Sequence, residues 1–259
     1  MSLPLLTQEI PFDCSPRPSA RAKAAGLAVA RLKDLLFLVA FTFAALLIHG
    51  YHPAAEDAAI YLPAIKKDLN GHLYPFGSEF FMSHARLTWF DELIADSVKL
   101  THVHLDSMLL FWHLLSVFLL LLACLLLSEA VFGKGSQRWS AVAIITAVLT
   151  IPVAGTSLLL MDPYLTPRSL STPLVLFALT AMLKRRYLLT GLCLLAIAPI
   201  HPLMTIYGAA LCVTLLLLRL NAFVRTWGWL TRNASLQTGD SGFRTGRAWA
   251  SATVLPVTV

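Results

Sequence analysis

Residues 107–132 read SMLLFWHLLSVFLLLLACLLLSEAVF, a run in which Glu129 is the only formal charge. A helix crosses the hydrocarbon of a bilayer with about 20 apolar residues, and about 17 suffice. This run exceeds that, and its interior holds one further ionisable group, His113. Backbone amides without water must bond within their own segment, so the stretch reads as a transmembrane helix. The rest of the chain agrees. Of 259 residues, 57% are hydrophobic and only 13% charged, and the mean hydropathy is +0.71. Soluble domains carry roughly 25% charge. That balance excludes a disordered chain, a basic nucleic-acid-binding domain and a disulfide-stapled secreted module. No nucleic-acid partner is expected; the bilayer is.

Working outward, Leu35–Gly50 forms an earlier apolar run, and Ser140–Met161, Ser169–Leu183, Tyr187–Ile200 and Leu203–Leu218 follow. The expectation is an all-α, polytopic membrane bundle of about six crossings. Pro199 and Pro202 interrupt the backbone between the last two runs, so four crossings plus a re-entrant hairpin is the alternative. With the N-terminus in the cytoplasm, 15 of the 20 Lys and Arg fall inside. They lie before residue 34, at Lys134 and Arg138, in Lys184-Arg185-Arg186, and from Arg219 onward. Every loop then obeys the positive-inside rule, as an integral protein of a bacterial inner membrane would. The net charge of +6 therefore concerns orientation. Residues 1–34 read as a cytoplasmic arm, 35–220 as the bundle with its outer loop 51–106, and 221–259 as a cytoplasmic tail, disordered or out of frame. Cys14, Cys124, Cys193 and Cys212 have no metal or redox spacing and read as free thiols. Asn233-Ala-Ser matches a glycosylation sequon on the inner side and reads as chance.

The outer loop carries most of the candidate chemistry. Glu56–Asn70 approximates a helical stripe of Ala58, Ile60, Tyr61, Ala64, Ile65 and Leu69, with Pro63 kinking it or shortening its first turn. A second amphipathic helix is expected over Thr88–Leu100, with Thr88 as N-cap and Asp91 and Glu92 in the first turn. Both would lie flat at the membrane surface. Just before the first stands His49-Gly-Tyr-His52-Pro-Ala-Ala-Glu56-Asp57. A carboxylate there has two readings. It is a general base or a partner of a divalent cation on a lipid phosphate, or it merely favours the helix dipole. The second outer loop, Met161-Asp162-Pro-Tyr-Leu-Thr-Pro-Arg168-Ser, offers a guanidinium suited to phosphate. Alternatively Asp162 and Arg168 pair and close the loop. His201, between Pro199 and Pro202 in the third turn, either donates to a phosphate or caps a helix end. His102-Val-His104 lacks a third ligand at a fixed spacing, and His113 reads as neutral and bonded between helices.

This plan of cytoplasmic arm, single crossing, long outer loop opening on Glu56-Asp57, then many short helices resembles the GT-C superfamily of membrane glycosyltransferases. The resemblance spans roughly residues 35–218. It implies that Asp57, or its neighbour Glu56, is the catalytic or metal-binding position, acting on a polyprenyl-phosphate-linked sugar. It further implies that Arg168 and His201 stabilise the lipid-phosphate leaving group, supported by Asp162 and His52. Since such enzymes carry further crossings, the chain is expected to be the N-terminal part of a longer protein. The competing class is a non-enzymatic membrane protein, an accessory subunit or transporter fragment. An enzyme requires convergent polar groups at a concave site, here the Asp57 and Asp162 carboxylates within about 10 Å of one another beside a cavity open to lipid; a scaffold does not.

Overall fold

The computed structural model describes residues 20–152 and 159–238, and the elements among them are helices. In chain order they are α1 (Ala20–His49), α2 (Ala58–Leu69), α3 (Glu79–Ala85), α4 (Phe90–Thr101), α5 (Leu105–Phe132), α6 (Gln137–Val148), α7 (Pro167–Leu183), α8 (Tyr187–Ile197) and α9 (Pro202–Thr238). Five of the six expected apolar runs fall largely within one helix each, and the third does so only over its first part. Three have the length and apolarity to cross a membrane: α1 over Val29–His49, α5 throughout, and α9 over Pro202–Asn221. At 1.5 Å per residue, the 11 residues of α8 reach only about 16 Å. The third run departs furthest from expectation. Its helix α6 stops at Val148, before Pro152, which cannot extend a helix that would need its N–H.

Both ends also differ from the expected boundaries. α1 begins at Ala20, so the helix takes in nearly half of the expected arm. At the other end, α9 runs through Asn221 to Thr238. The compositional change at residue 221 is therefore not a helix end. The expectations for residues 1–19 and 239–259, including Cys14, lie outside the described residues. Cys124, Cys193 and Cys212 are free thiols.

Side chains facing away from the bundle are apolar on α1, α8 and α9; Leu47 is 85% exposed and Leu188 79%. A water-facing helix would be polar there, whereas lipid accepts this surface without cost. Between the helices, α1, α5 and α6 share a core of Leu38, Ala45, Val117, Leu120, Leu121, Val142 and Leu149. Ala178, Met182 and Cys212 join α7 to α9. A Cβ on Gly208 would stand 3.1 Å from Leu194 and 3.2 Å from Val175, so the missing side chain lets α9 sit close against α7 and α8.

The connection between α1 and α5 carries three helices. α2 and α4 are the two amphipathic helices expected, with α3 between them. α2 starts two residues later than expected, and Pro63 lies inside it. α4 is capped by Trp89 and not by Thr88, whose buried hydroxyl finds no partner.

Candidate functional site

The connections between α1 and α5, before α7, and between α8 and α9 meet. One apolar core holds Ile65 of α2, Phe90, Ile94 and Ala95 of α4, Leu109 of α5, and Leu165 and Leu170 from the start of α7, with Ile200 packed against it. Polar contacts tie the same pieces together. The His52 amide donates to the Pro163 carbonyl at 2.8 Å, and the Trp89 amide to the Pro199 carbonyl at 2.7 Å. The Tyr164 hydroxyl donates to Glu56 Oε2 at 3.0 Å. Sequence periodicity cannot show convergence of this kind, because it arises from packing between segments about 100 residues apart.

The second loop is built around the start of α7. Thr166 is the N-cap: its Oγ1 accepts from the Ser169 amide, and Ser169 Oγ accepts from the Thr166 amide. With Pro167 at the first helical position, this is a capping box in which Ser takes the usual place of Glu. Thr166 Oγ1 also donates to Asp162 Oδ2 at 3.2 Å. Asp162 is 3% exposed and forms a two-pronged ion pair with Arg168, through Nη2 and through Nε at 3.3 Å. Of the two sequence readings, the loop-closing pair is the one found. Arg168 keeps its Nη1 uncommitted among the described residues and remains 28% exposed in its side chain.

His201 also shows its capping alternative. Its Nδ1 accepts from the Met204 amide at 3.4 Å at the start of α9. Burial lowers its pKa below the ordinary histidine value, and the neighbouring Arg168 charge lowers it further. His201 and Arg168 are thus close enough to sense each other. A ring neutral at pH 7 whose Nδ1 accepts must carry its proton on Nε2, which is left as a donor.

Asp57 occupies the N-cap of α2, yet its side chain makes no capping bond. Helix N-caps ordinarily use their side-chain oxygen for the first free amides, so this exposed carboxylate is unspent. Glu56, before it, has φ +45° and Ala54 φ +65°. Two left-handed non-glycine residues two apart mark a strained turn, of the kind held in place only by surrounding contacts. Here those contacts are the Tyr164–Glu56 bond and the His52–Pro163 bond. The Tyr164 hydroxyl is pushed above the ordinary tyrosine range, first by burial, then by its bond to Glu56 and by the charges of Asp162, Glu56 and Asp57. Tyr61 is raised by burial and by Asp57, while Arg168 acts in the opposite sense. Tyr164 and Tyr61 therefore stand among all the candidate charges. Sequence reading missed Tyr164, and nothing in the loop distinguished it from a membrane-interface tyrosine.

His52 is exposed, and its tie to the site is through its backbone. Among the described residues, no three His, Cys, Asp or Glu side chains gather as metal donors. That donor set does not fit a divalent cation held by these side chains. His102 and His104 become the cap residues of α4 and α5. His113 is 3% exposed; its ring packs 5.0 Å from Tyr51, while Nδ1 finds no partner among the described residues. With His49, Asp162 and Thr42 it lines a cavity of ≈ 10 Å³, about the room one water needs. A larger groove of ≈ 480 Å³ opens beside the third turn, lined by Trp89, Glu92, Leu93, Asp96, Pro199 and Ile200.

Asp91 was expected in the first turn of α4 as a charge that favours the helix dipole. It is 1% exposed; its Oδ1 and Asp68 Oδ2 are both buried without a donor among the described residues, and the two carboxyls hydrogen-bond each other when one of them carries a proton. Burial, with Glu92 and Asp68 as like charges, raises its pKa to about 7. The folded protein thus holds this proton more tightly than the unfolded chain does. Asp91 costs nothing below about pH 4 and progressively destabilises the fold up to about pH 7, by up to about 4 kcal/mol. Asp91→Asn should therefore raise the thermal midpoint at pH 8 by several degrees and leave it nearly unchanged at pH 4.5. Equal effects at both pH values would show that Asp91 is not desolvated.

Comparison with known proteins identifies no relative: no family model, curated protein or solved structure matches the chain. The chemistry of the site must be argued from its residues.

Proposed function

We propose that this chain is, or is the N-terminal part of, a GT-C-like membrane glycosyltransferase that takes a sugar from a polyprenyl-phosphate donor at the outer membrane face. The observation that carries the reading is the unspent Asp57 carboxylate, on a strained turn that Tyr164 and Pro163 tie to the loop carrying Arg168. Asp57 removes the proton from the acceptor hydroxyl as that oxygen attacks the sugar's anomeric carbon. The bond from that carbon to the lipid phosphate breaks, and Arg168 Nη1 and His201 Nε2–H stabilise the negative charge left on the phosphate. The apolar groove beside Trp89 and Ile200 accommodates part of the lipid. The bundle carries six crossings, with its N-terminus in the cytoplasm of a bacterial inner membrane, and α2 and α4 lie along the outer surface.

One observation favours the accessory reading. Asp162 and Arg168 satisfy each other, and the cavity beside Asp162 is only ≈ 10 Å³, far below the roughly 300 Å³ or more usual for a ligand pocket. The two readings separate in a transfer assay. Purified full chain in vesicles is given radiolabelled undecaprenyl-phosphate pentoses and hexoses with cell-envelope glycans as acceptors. Label moving to acceptor above a protein-free control supports the enzyme. No transfer from any donor overturns it and leaves the accessory role.

A further inference from the structure

At the end of the bundle opposite the outer loop, a groove of ≈ 640 Å³ runs between α1, α5 and the start of α6. Its walls are apolar, from Leu35, Phe118 and Leu122 among others, and its mouth is charged. Arg138 sits there between Asp34 and Glu129, bonding Asp34 at 2.8 Å and pairing also with Glu129. Both acids are thereby used, while Arg138 Nε stays buried without a partner. Arg31 and Lys134 stand at the same mouth, both exposed and without an ion pair or hydrogen bond among the described residues. The lining thus holds three cations against two anions, and the acids are committed to the central one.

A groove at this depth in a membrane helix bundle is filled by lipid, since water gains nothing from its apolar walls. The charge at its mouth selects which lipid. We propose that this groove is a binding site for a phospholipid with an anionic headgroup. One acyl chain lies along Leu35, Phe118 and Leu122, and the phosphate is held by Arg31 and Lys134. Long cationic side chains at a helix end reach the headgroup layer readily. Each contributes on the order of 1 kcal/mol of attraction to an anionic surface. The Asp34–Arg138–Glu129 network has a part in this. It fixes the spacing of α1, α5 and α6 and keeps the two acids from neutralising Arg31 and Lys134.

The test is the thermal midpoint of the detergent-purified full chain on adding palmitoyl-oleoyl phosphatidylglycerol or the matching phosphatidylcholine. Phosphatidylglycerol is expected to raise the midpoint by several degrees more than phosphatidylcholine. That difference should disappear in the Arg31→Gln/Lys134→Gln double variant. It should persist in Lys184→Gln/Arg186→Gln, which removes two basic residues from another loop at the same end. Equal shifts from both lipids would overturn the proposal, as would loss of the preference in both double variants, which would indicate general charge attraction. Inorganic phosphate reproducing the shift would make this a free-anion site and overturn the lipid assignment.

Discussion

Arg168→Met is expected to destabilise the fold by roughly 3–5 kcal/mol, because it leaves a buried carboxylate without its counter-charge. Asp162 is 3% exposed. Its remaining partner would be the Thr166 hydroxyl at 3.2 Å, a neutral donor unable to offset a full charge. Thermal unfolding of the purified chain should show a midpoint drop of about 10 °C, at a few degrees per kcal/mol for a chain of this size. Arg168→Lys keeps the charge but loses the second prong, and should fall between wild type and Met. Asp162→Asn should cost less than Arg168→Met, since the guanidinium left behind is partly exposed and turns to water. A Met variant as stable as wild type would show that the pair is not structural and would free both residues for substrate.

Asp57→Asn is expected to lower sugar transfer by about 10²–10⁴-fold, the usual contribution of a positioned general base. It should do so without lowering the thermal midpoint, because the Asp57 side chain makes no capping bond for α2 to lose. That separation is the diagnostic feature. A structural carboxylate loses stability and activity together. Glu56→Gln is the internal comparison: its amide oxygen still accepts from Tyr164, so the turn persists and the rate should change little. Equal losses of rate in the two variants would mean that the acidic pair acts as a field and that neither member is the base. Transfer unaffected by Asp57→Asn would remove Asp57 from the chemistry.

The physics separating these two residues was only half legible in the sequence. Asp162 and Arg168 are six residues apart around two prolines, and a loop-closing pair was one of two open readings. Burial of Asp162 against α5 and the capping box decided between them. Asp91 is the opposite case. As an acid in the first turn of an amphipathic helix, it read as a favourable surface charge. Packing of α4 on α2 instead buried it against Asp68. Helical periodicity reports which face is apolar on average, and it cannot anticipate one polar residue at the edge of that face being covered by a neighbouring helix.

The sequence by itself determined the helical class and the order of the apolar helices. It could do so because hydrophobic periodicity and run length are local quantities that the bilayer and the backbone read directly. Only the tertiary structure decided that Tyr164 reaches Glu56, that Arg168 stands near His201, that the Asp162–Arg168 loop closes on itself, and that Asp91 is buried. Each of those outcomes depends on distances between segments remote in the chain. Side-chain packing and ion pairing set such distances, and both act only once the helices have met.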